Sequence, residues 1–141
     1  MESRAVLAAE RHKKGYNCAQ AVACTYCDLV GVSEEEAFRS TEAFGLGMGG
    51  MLGTCGALSG AVYLASLATS DGNLENPSTK KASYALSREL LNRFSEKNGS
   101  VTCRALKGLE GEGSVAVPCP ICISTACDLV EQVLFPDTLT A

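Results

Sequence analysis

The sequence predicts an all-α fold, a compact single domain over residues 1–141 built as a bundle of about five to six helices with a glycine-rich loop. Three observations predict it. Apolar residues recur at three- and four-residue spacing in several segments. No alternating stretch persists long enough to read as a strand. Good capping residues stand in front of the apolar runs. A chain of 141 residues has one domain's length, and its 46 % hydrophobic content supplies a core. Tryptophan is absent and aromatics make up 6 %, so that core must be packed from Ala, Leu, Val and Cys.

The elements follow in order. Glu2 to Lys13 reads as a short charged helix with Ala5, Val6, Ala8 and Ala9 as its apolar face, ended by Gly15. His12, the only histidine, sits among Arg11, Lys13 and Lys14 and reads as a solvated helix-end residue. Asn17 is a good N-cap, which puts Cys18 at the first position of a helix that runs to Val30 and stops at Gly31. Its buried face is Ala19, Val22, Ala23 and Tyr26. Cys24 and Cys27, in CTYC, share a face one turn apart, either as two ligands or as two buried small hydrophobes. Ser33 with Glu36 forms a capping-box pattern for the next helix, which Ala37 and Phe38 tie to the core.

Gly45 to Gly60 is the stretch around which the chain is organised. It holds Gly45, Gly47, Gly49, Gly50, Gly53, Gly56 and Gly60 around Cys55. Such a run reads as a shaped loop feeding a helix, with Thr54 as N-cap and Cys55 as the first helical residue. Gly56 and Gly60, four apart, leave room for close packing on one side of that helix, within the chain or across a homodimer. Residues 70–78 form a surface loop. Ser78 to Ser95 is helical, with Ala82, Ala85, Leu86, Leu90, Leu91 and Phe94 on one face and Asn98-Gly99 at its end. Thr102 again stands before a cysteine, Cys103. Leu109 to Val117 is a Gly- and Glu-rich loop. Pro118-Cys119-Pro120-Ile121-Cys122 is a second CxxC, with prolines suited to a turn. Ser124 or Thr125 can cap a last helix that carries Cys127, Leu129, Val130, Val133 and Leu134 and ends at Pro136.

Charge and hydropathy narrow the functional classes. A net charge of −4 gives no basic footprint for nucleic acid. Met1 to Lys14 carries charges throughout and no apolar block, so no export signal is expected and the location expected is cytoplasmic. Met51 to Thr69 is rich in Gly, Ala and Ser and lacks the apolar span of a membrane-crossing helix. Eight cysteines, at 18, 24, 27, 55, 103, 119, 122 and 127, are many for such a chain. In a reducing compartment they point to metal, iron–sulfur or redox chemistry rather than structural disulfides. Cys18, Cys55 and Cys103 each follow a good N-cap residue. If their helix ends converge, macrodipoles and unpaired N–H groups favour thiolates there. A fourth cysteine from the 119–122 pair completes a set suited to iron–sulfur or zinc ligation, or to exchangeable dithiols. CPIC also resembles the CPxC of thioredoxin-like oxidoreductases, without the βαβ context that motif expects.

Taken together, GYNCAQAV (Gly15 to Val22), the glycine run into CGALSG (Cys55 to Gly60), GSVTCRAL (Gly99 to Leu106) and the final cysteines before DLVEQVL resemble the C-GCAxxG-C-C family of redox-active proteins. The resemblance covers nearly the whole chain. It implies redox function, with Cys18, Cys55, Cys103 and Cys122 as the working cysteines, Cys119 as the alternative fourth, and Cys24, Cys27 and Cys127 as extras. A related domain in the split-Soret type of cytochrome c is associated with an iron–sulfur centre. By that resemblance the four cysteines could hold a [2Fe–2S] cluster, while the absence of CxxCH leaves no covalent haem expected.

The functional expectation is a small electron-transfer or thiol-redox protein with an unidentified redox partner. Its candidate site is Cys18, Cys55, Cys103 and Cys122, with Cys119 as a further metal ligand and Gly53, Gly56 and Gly60 as cofactor-binding glycines. Zinc holding the loops together, or a helical domain whose cysteines only fill the core, are the alternatives.

Overall fold

The computed structural model describes residues 3–111 and 116–138. Among these residues every regular element is helical, and the only sheet-like pairing is a single antiparallel bridge between Thr54 and Thr102. The α-helices are α1 (Ala5–Lys14), α2 (Cys18–Tyr26), α3 (Glu34–Thr41), α4 (Gly56–Thr69), α5 (Lys80–Asn98), α6 (Cys103–Leu106, a single turn) and α7 (Cys119–Leu129). No helix among the described residues is long and apolar enough to cross a membrane.

The central helix is α2. Asn17 and Gln20 cap it reciprocally: the Asn17 carbonyl oxygen accepts from the Gln20 N–H at 2.9 Å, and the Gln20 side chain accepts from the Asn17 N–H at 3.0 Å. Every residue from Ala19 to Tyr26 is buried, so the helix is covered on all sides. It shortens to a tight 3₁₀ turn over Cys27–Val30 before the left-handed Gly31. The main partner of α2 is α4. The two approach closely at glycines: a Cβ on Gly60 would stand 2.6 Å from the Ala19 carbonyl oxygen, and one on Gly56 would stand 3.4 Å from the Ala19 nitrogen. Both helices also contact α7, and α5 packs against α4 and α7. Tyr26, Leu58, Leu64, Leu90, Phe94, Ile123 and Leu129 fill the centre.

Several expected boundaries hold. Ser33 Oγ accepts from the Glu36 N–H at 3.1 Å, and Gly99 closes α5 in the left-handed region. Only Leu90 and Phe94 of the α5 face are fully buried, whereas Ala82 and Ala85 are exposed, because α5 meets the bundle on a narrow stripe. Two starts differ from expectation. Cys55 is itself the N-cap of α4, because the backbone of Thr54 is drawn into the bridge with Thr102. The last helix begins at Cys119, not beside Ser124 or Thr125. Pro118 precedes it and Pro120 occupies its first turn, where a missing N–H costs nothing. Residues 112–115 of the expected Gly- and Glu-rich loop, and Glu2 of the expected first helix, lie outside the described residues.

Candidate functional site

The glycine run forms a closed loop on the edge of the bundle. Leu46, Met48 and Met51, none of them glycine, take positive φ values of 54°, 65° and 67°. Three such residues in one loop are a concentration of backbone strain that only surrounding contacts can hold. Those contacts are visible. The Gly53 N–H donates to the Gly47 carbonyl at 3.0 Å, and the Cys103 N–H donates to the Gly53 carbonyl at 3.0 Å. The Cys55 N–H donates to the Val101 carbonyl at 2.8 Å. Two short segments around Cys55 and Cys103 therefore run side by side. Gly47 is required where it stands, since a Cβ there would lie 2.3 Å from the Cys103 Cβ.

The third and fourth arms reach the same place from α2 and α7. Cys18 opens α2 next to the Ala19–Gly56 contact. The Val117 N–H donates to the Leu106 carbonyl at 2.6 Å, which brings the start of α7 against the end of α6. Cys119 and Cys122 then sit one turn apart on α7, both at the site. The Lys107 ammonium, four residues after Cys103, lies 3.9 Å from the Cys119 sulfur.

The five thiols are not equivalent. Cys55, Cys103 and Cys122 are buried, whereas Cys18 and Cys119 are half-exposed. Cys122 donates its S–H toward the Cys55 sulfur, and this is the main cause that holds the Cys55 thiol below its ordinary value against the opposing effect of burial. The Leu58 and Ala57 N–H groups of the first turn of α4 and the positive charge of Lys107 act in the same direction. The proton stays on Cys122, whose own thiol is pushed up by that hydrogen bond and by burial. The Cys122 sulfur also lies 3.8 Å from the Val117 carbonyl. Cys18 is pushed up by burial first and then by Cys119, to which it donates. Burial raises Cys103, with Lys107 opposing. The result is two thiol pairs, Cys55 with Cys122 and Cys18 with Cys119, and Cys103 beside them.

All the cysteines expected at the site meet there: Cys18, Cys55, Cys103 and both Cys119 and Cys122. Cys24, Cys27 and Cys127 do not. Cys24 and Cys27 pack with Ala23 and Ala37 in a separate small cluster, and Cys127 lies in the main core against Tyr26. Among the expected cofactor-binding glycines, Gly53 supplies a carbonyl to Cys103, and the space beside its Cα is taken by Met48. The faces of Gly56 and Gly60 are occupied by the Gly45 and Ala19 backbones, so their smallness serves helix packing. Lys107 escaped the sequence reading. Its position one turn after Cys103 was the available signal.

A set of thiols is the right donor chemistry for zinc or an iron–sulfur cluster. Among the described residues no three Cys, His, Asp or Glu side chains stand together in positions to hold a metal ion. The sulfurs interact most closely as two pairs, Cys55 with Cys122 and Cys18 with Cys119.

Comparisons with curated proteins and with solved structures return no match. A family model does match, over residues 16–133, and its description reads Putative redox-active protein (C_GCAxxG_C_C). The match takes in all eight cysteines and most of the chain, and the protein therefore belongs to the C_GCAxxG_C_C family of redox-active proteins.

Proposed function

We propose that this protein is a thiol–disulfide redox protein in which Cys55 is the nucleophile and Cys122 the resolving thiol. The observation that carries this reading is where Cys55 stands: buried at the N-terminus of α4, with the Leu58 and Ala57 N–H groups and the Lys107 charge acting on its sulfur and Cys122 beside it. The Cys55 thiol is lowered and the Cys122 thiol is raised, so the first holds the charge and the second keeps the proton. A thiolate attacks and a thiol does not, so the pair is poised for one order of events. The Cys55 thiolate attacks one sulfur of a partner disulfide. A bond forms between Cys55 and that sulfur, and the other partner sulfur leaves as thiolate. Cys122 gives up its proton, which the leaving thiolate takes, and its sulfur attacks Cys55. The second partner sulfur leaves and takes a proton from water. The partner disulfide is thereby reduced by two electrons, and Cys55–Cys122 becomes the oxidised pair. Lys107 and the N-terminal turn of α4 stabilise the Cys55 charge during this sequence. Such a cycle suits a reducing compartment such as the cytoplasm, where the pair is returned to its dithiol form.

Incubating the reduced protein with glutathione disulfide tests the assignment. The wild type is expected to accumulate a Cys55–Cys122 disulfide, and Cys122→Ser to accumulate glutathione on Cys55, both read by peptide mass spectrometry. Disulfides confined to other cysteine pairs would remove the assignment. A second reading, a thiolate-ligated cluster or zinc site, is favoured by the gathering of five thiols alone, and it needs the paired sulfurs to move together. Iron, sulfide and zinc analysis of anaerobically purified protein distinguishes it: metal in stoichiometric amount replaces the exchange reading.

A further inference from the structure

The exchange at Cys55 and Cys122 leaves the other thiols of the site unused. Cys55 and Cys122 are buried, whereas Cys18 and Cys119 are half-exposed. A reductant in solvent therefore reaches the second pair more easily than the first.

The two pairs are joined through α7. Cys119 is the first residue of that helix and Cys122 stands one turn further on, so the two side chains are neighbours. The Cys122 N–H donates to the Pro118 carbonyl at 3.1 Å, which holds that turn. Cys18, the first residue of α2, donates to Cys119. The Cys119 and Cys18 sulfurs both stand near enough to Cys122 to act on its charge. The Lys107 ammonium lies 3.9 Å from the Cys119 sulfur and favours a thiolate there.

We propose that Cys18 and Cys119 are a second redox couple, which takes over the disulfide formed at Cys55–Cys122 and presents it at the surface to a dithiol reductant; the proposal rests on the exchange at Cys55 and Cys122. The transfer needs no further oxidant. Cys119 gives its proton to water, and its thiolate attacks the Cys122 sulfur of the oxidised pair. A Cys119–Cys122 bond forms, the Cys55–Cys122 bond breaks, and Cys55 leaves as thiolate. Cys18 then gives up its proton and attacks the Cys119 sulfur. A Cys18–Cys119 bond forms, and Cys122 leaves as thiolate and takes that proton. Cys55 and Cys122 thereby gain the two electrons that Cys18 and Cys119 lose. The surroundings set the direction. A couple whose reduced form is stabilised is the stronger oxidant. The donors around Cys55 stabilise its thiolate, while burial disfavours a thiolate at Cys18. The disulfide therefore moves outward, and Cys55 returns to the form that attacks.

With glutathione disulfide in excess both couples end oxidised, so the transfer is read on protein loaded once. The reduced protein is treated with about half an equivalent of glutathione disulfide at about pH 6, where few thiols other than Cys55 are ionised. Glutathione is removed by gel filtration, the pH is raised to about 8, and samples are quenched with acid over time. Differential alkylation and peptide fragmentation locate the disulfides. Cys55–Cys122 is expected after loading. It should then fall at least about tenfold while Cys18–Cys119 rises by the same amount, at a rate independent of protein concentration. Cys119→Ser should keep the disulfide at Cys55–Cys122, with circular dichroism confirming the folded helices. A Cys55–Cys122 disulfide that persists in the wild type overturns the transfer and leaves the exchange at Cys55 standing. So does a decay that Cys119→Ser leaves unchanged, or one that scales with protein concentration. Absence of Cys55–Cys122 after loading removes the exchange itself, and the transfer with it.

Discussion

The chain contains two regions in which cysteines stand close together inside the bundle, and they have opposite electrostatics. At the start of α4, Cys55 is buried yet its thiol is lowered. At the end of α2, Cys24 and Cys27 are equally buried and form a CxxC, yet both thiols are raised, Cys24 to about 12. The difference lies in what faces the sulfur. Cys55 is met by donors: the Cys122 S–H, the N–H groups of Leu58 and Ala57, and the Lys107 charge. Cys24 and Cys27 are met by acceptors. Cys24 donates to the Glu34 carbonyl at 3.6 Å and Cys27 to the Cys24 carbonyl at 3.4 Å, and the Glu34 carboxylate raises both further. Burial alone makes a thiol inert. Burial at a helix start, among donors, makes it a thiolate. A CxxC motif by itself decides neither case.

The largest expected effect separates the two regions by mutation. Cys55→Ser should lower the rate of disulfide reduction by at least about 100-fold, since the exchange step requires the thiolate. Cys24→Ser and Cys127→Ser, assayed with the same disulfide, should remain within about twofold. Comparable losses in all three would erase the distinction between site and core cysteines.

Next in size is the effect of removing the proton holder. Cys122→Ala leaves Cys55 without its principal donor. The midpoint of Cys55 ionisation should rise by about one to two pH units, the value of a hydrogen bond to a charged group. A midpoint that stays in place would assign the lowered thiol to the α4 N-terminus and Lys107 alone.

Gly60→Ala tests the packing that brings the arms of the site together. Its Cβ would meet the Ala19 carbonyl oxygen at 2.6 Å, and neither a Cβ nor a backbone oxygen can turn aside. The expected loss of stability is about 1–3 kcal/mol, measured by urea denaturation. Gly49→Ala has open space around it but a φ of 90°, so it probes strain in the loop without moving α2 against α4. Lys107→Gln should have the smallest effect at the site, slowing the reaction of Cys55 a few-fold at low salt and less at high salt.

The core cysteines also set a pH dependence of stability. The folded-state thiols of Cys24 and Cys127 are raised from 9.0 to about 12. Below 9.0 both are protonated in folded and unfolded chain alike, and their contribution is fully present. Between 9.0 and about 12 the unfolded chain loses these protons while the folded chain keeps them. The unfolded state then binds fewer protons, so stability falls as pH rises through that window. Denaturation midpoints measured across it should decrease, and the double variant Cys24→Ala/Cys127→Ala should flatten the decline.

Much of the fold was legible because local signals and burial agree. Asn17 before Cys18, Ser33 before Glu36 and Gly99 after Asn98 are caps that the folded chain uses as written. What escaped was decided by distant contacts. Thr54 has the chemistry of an N-cap, but pairing with Thr102 takes it, and α4 starts one residue later. Pro118 and Pro120 read as a turn, yet proline is at home in a first helical turn, and both α7 cysteines are thereby aimed at the site. The sequence picked out Cys18, Cys55, Cys103 and Cys122, with Cys119, as one set, and the folded chain brings these five together. Their pairing was not legible, because it depends on how α7 docks against α4. Nor could sequence show that Leu46, Met48 and Met51 take left-handed backbone conformations, which only the closed loop enforces.

The proposed exchange stands on Cys55 carrying the charge and Cys122 the proton. A pH titration of the reduced protein with cysteine labelled at ¹³Cβ reports every thiol at once, whatever its exposure. Cys55 is expected to ionise first, below the 9.0 of an ordinary thiol, while Cys122, Cys24 and Cys127 stay protonated well above it. Ionisation of Cys55 at or above that value, or of Cys122 ahead of Cys55, would contradict it.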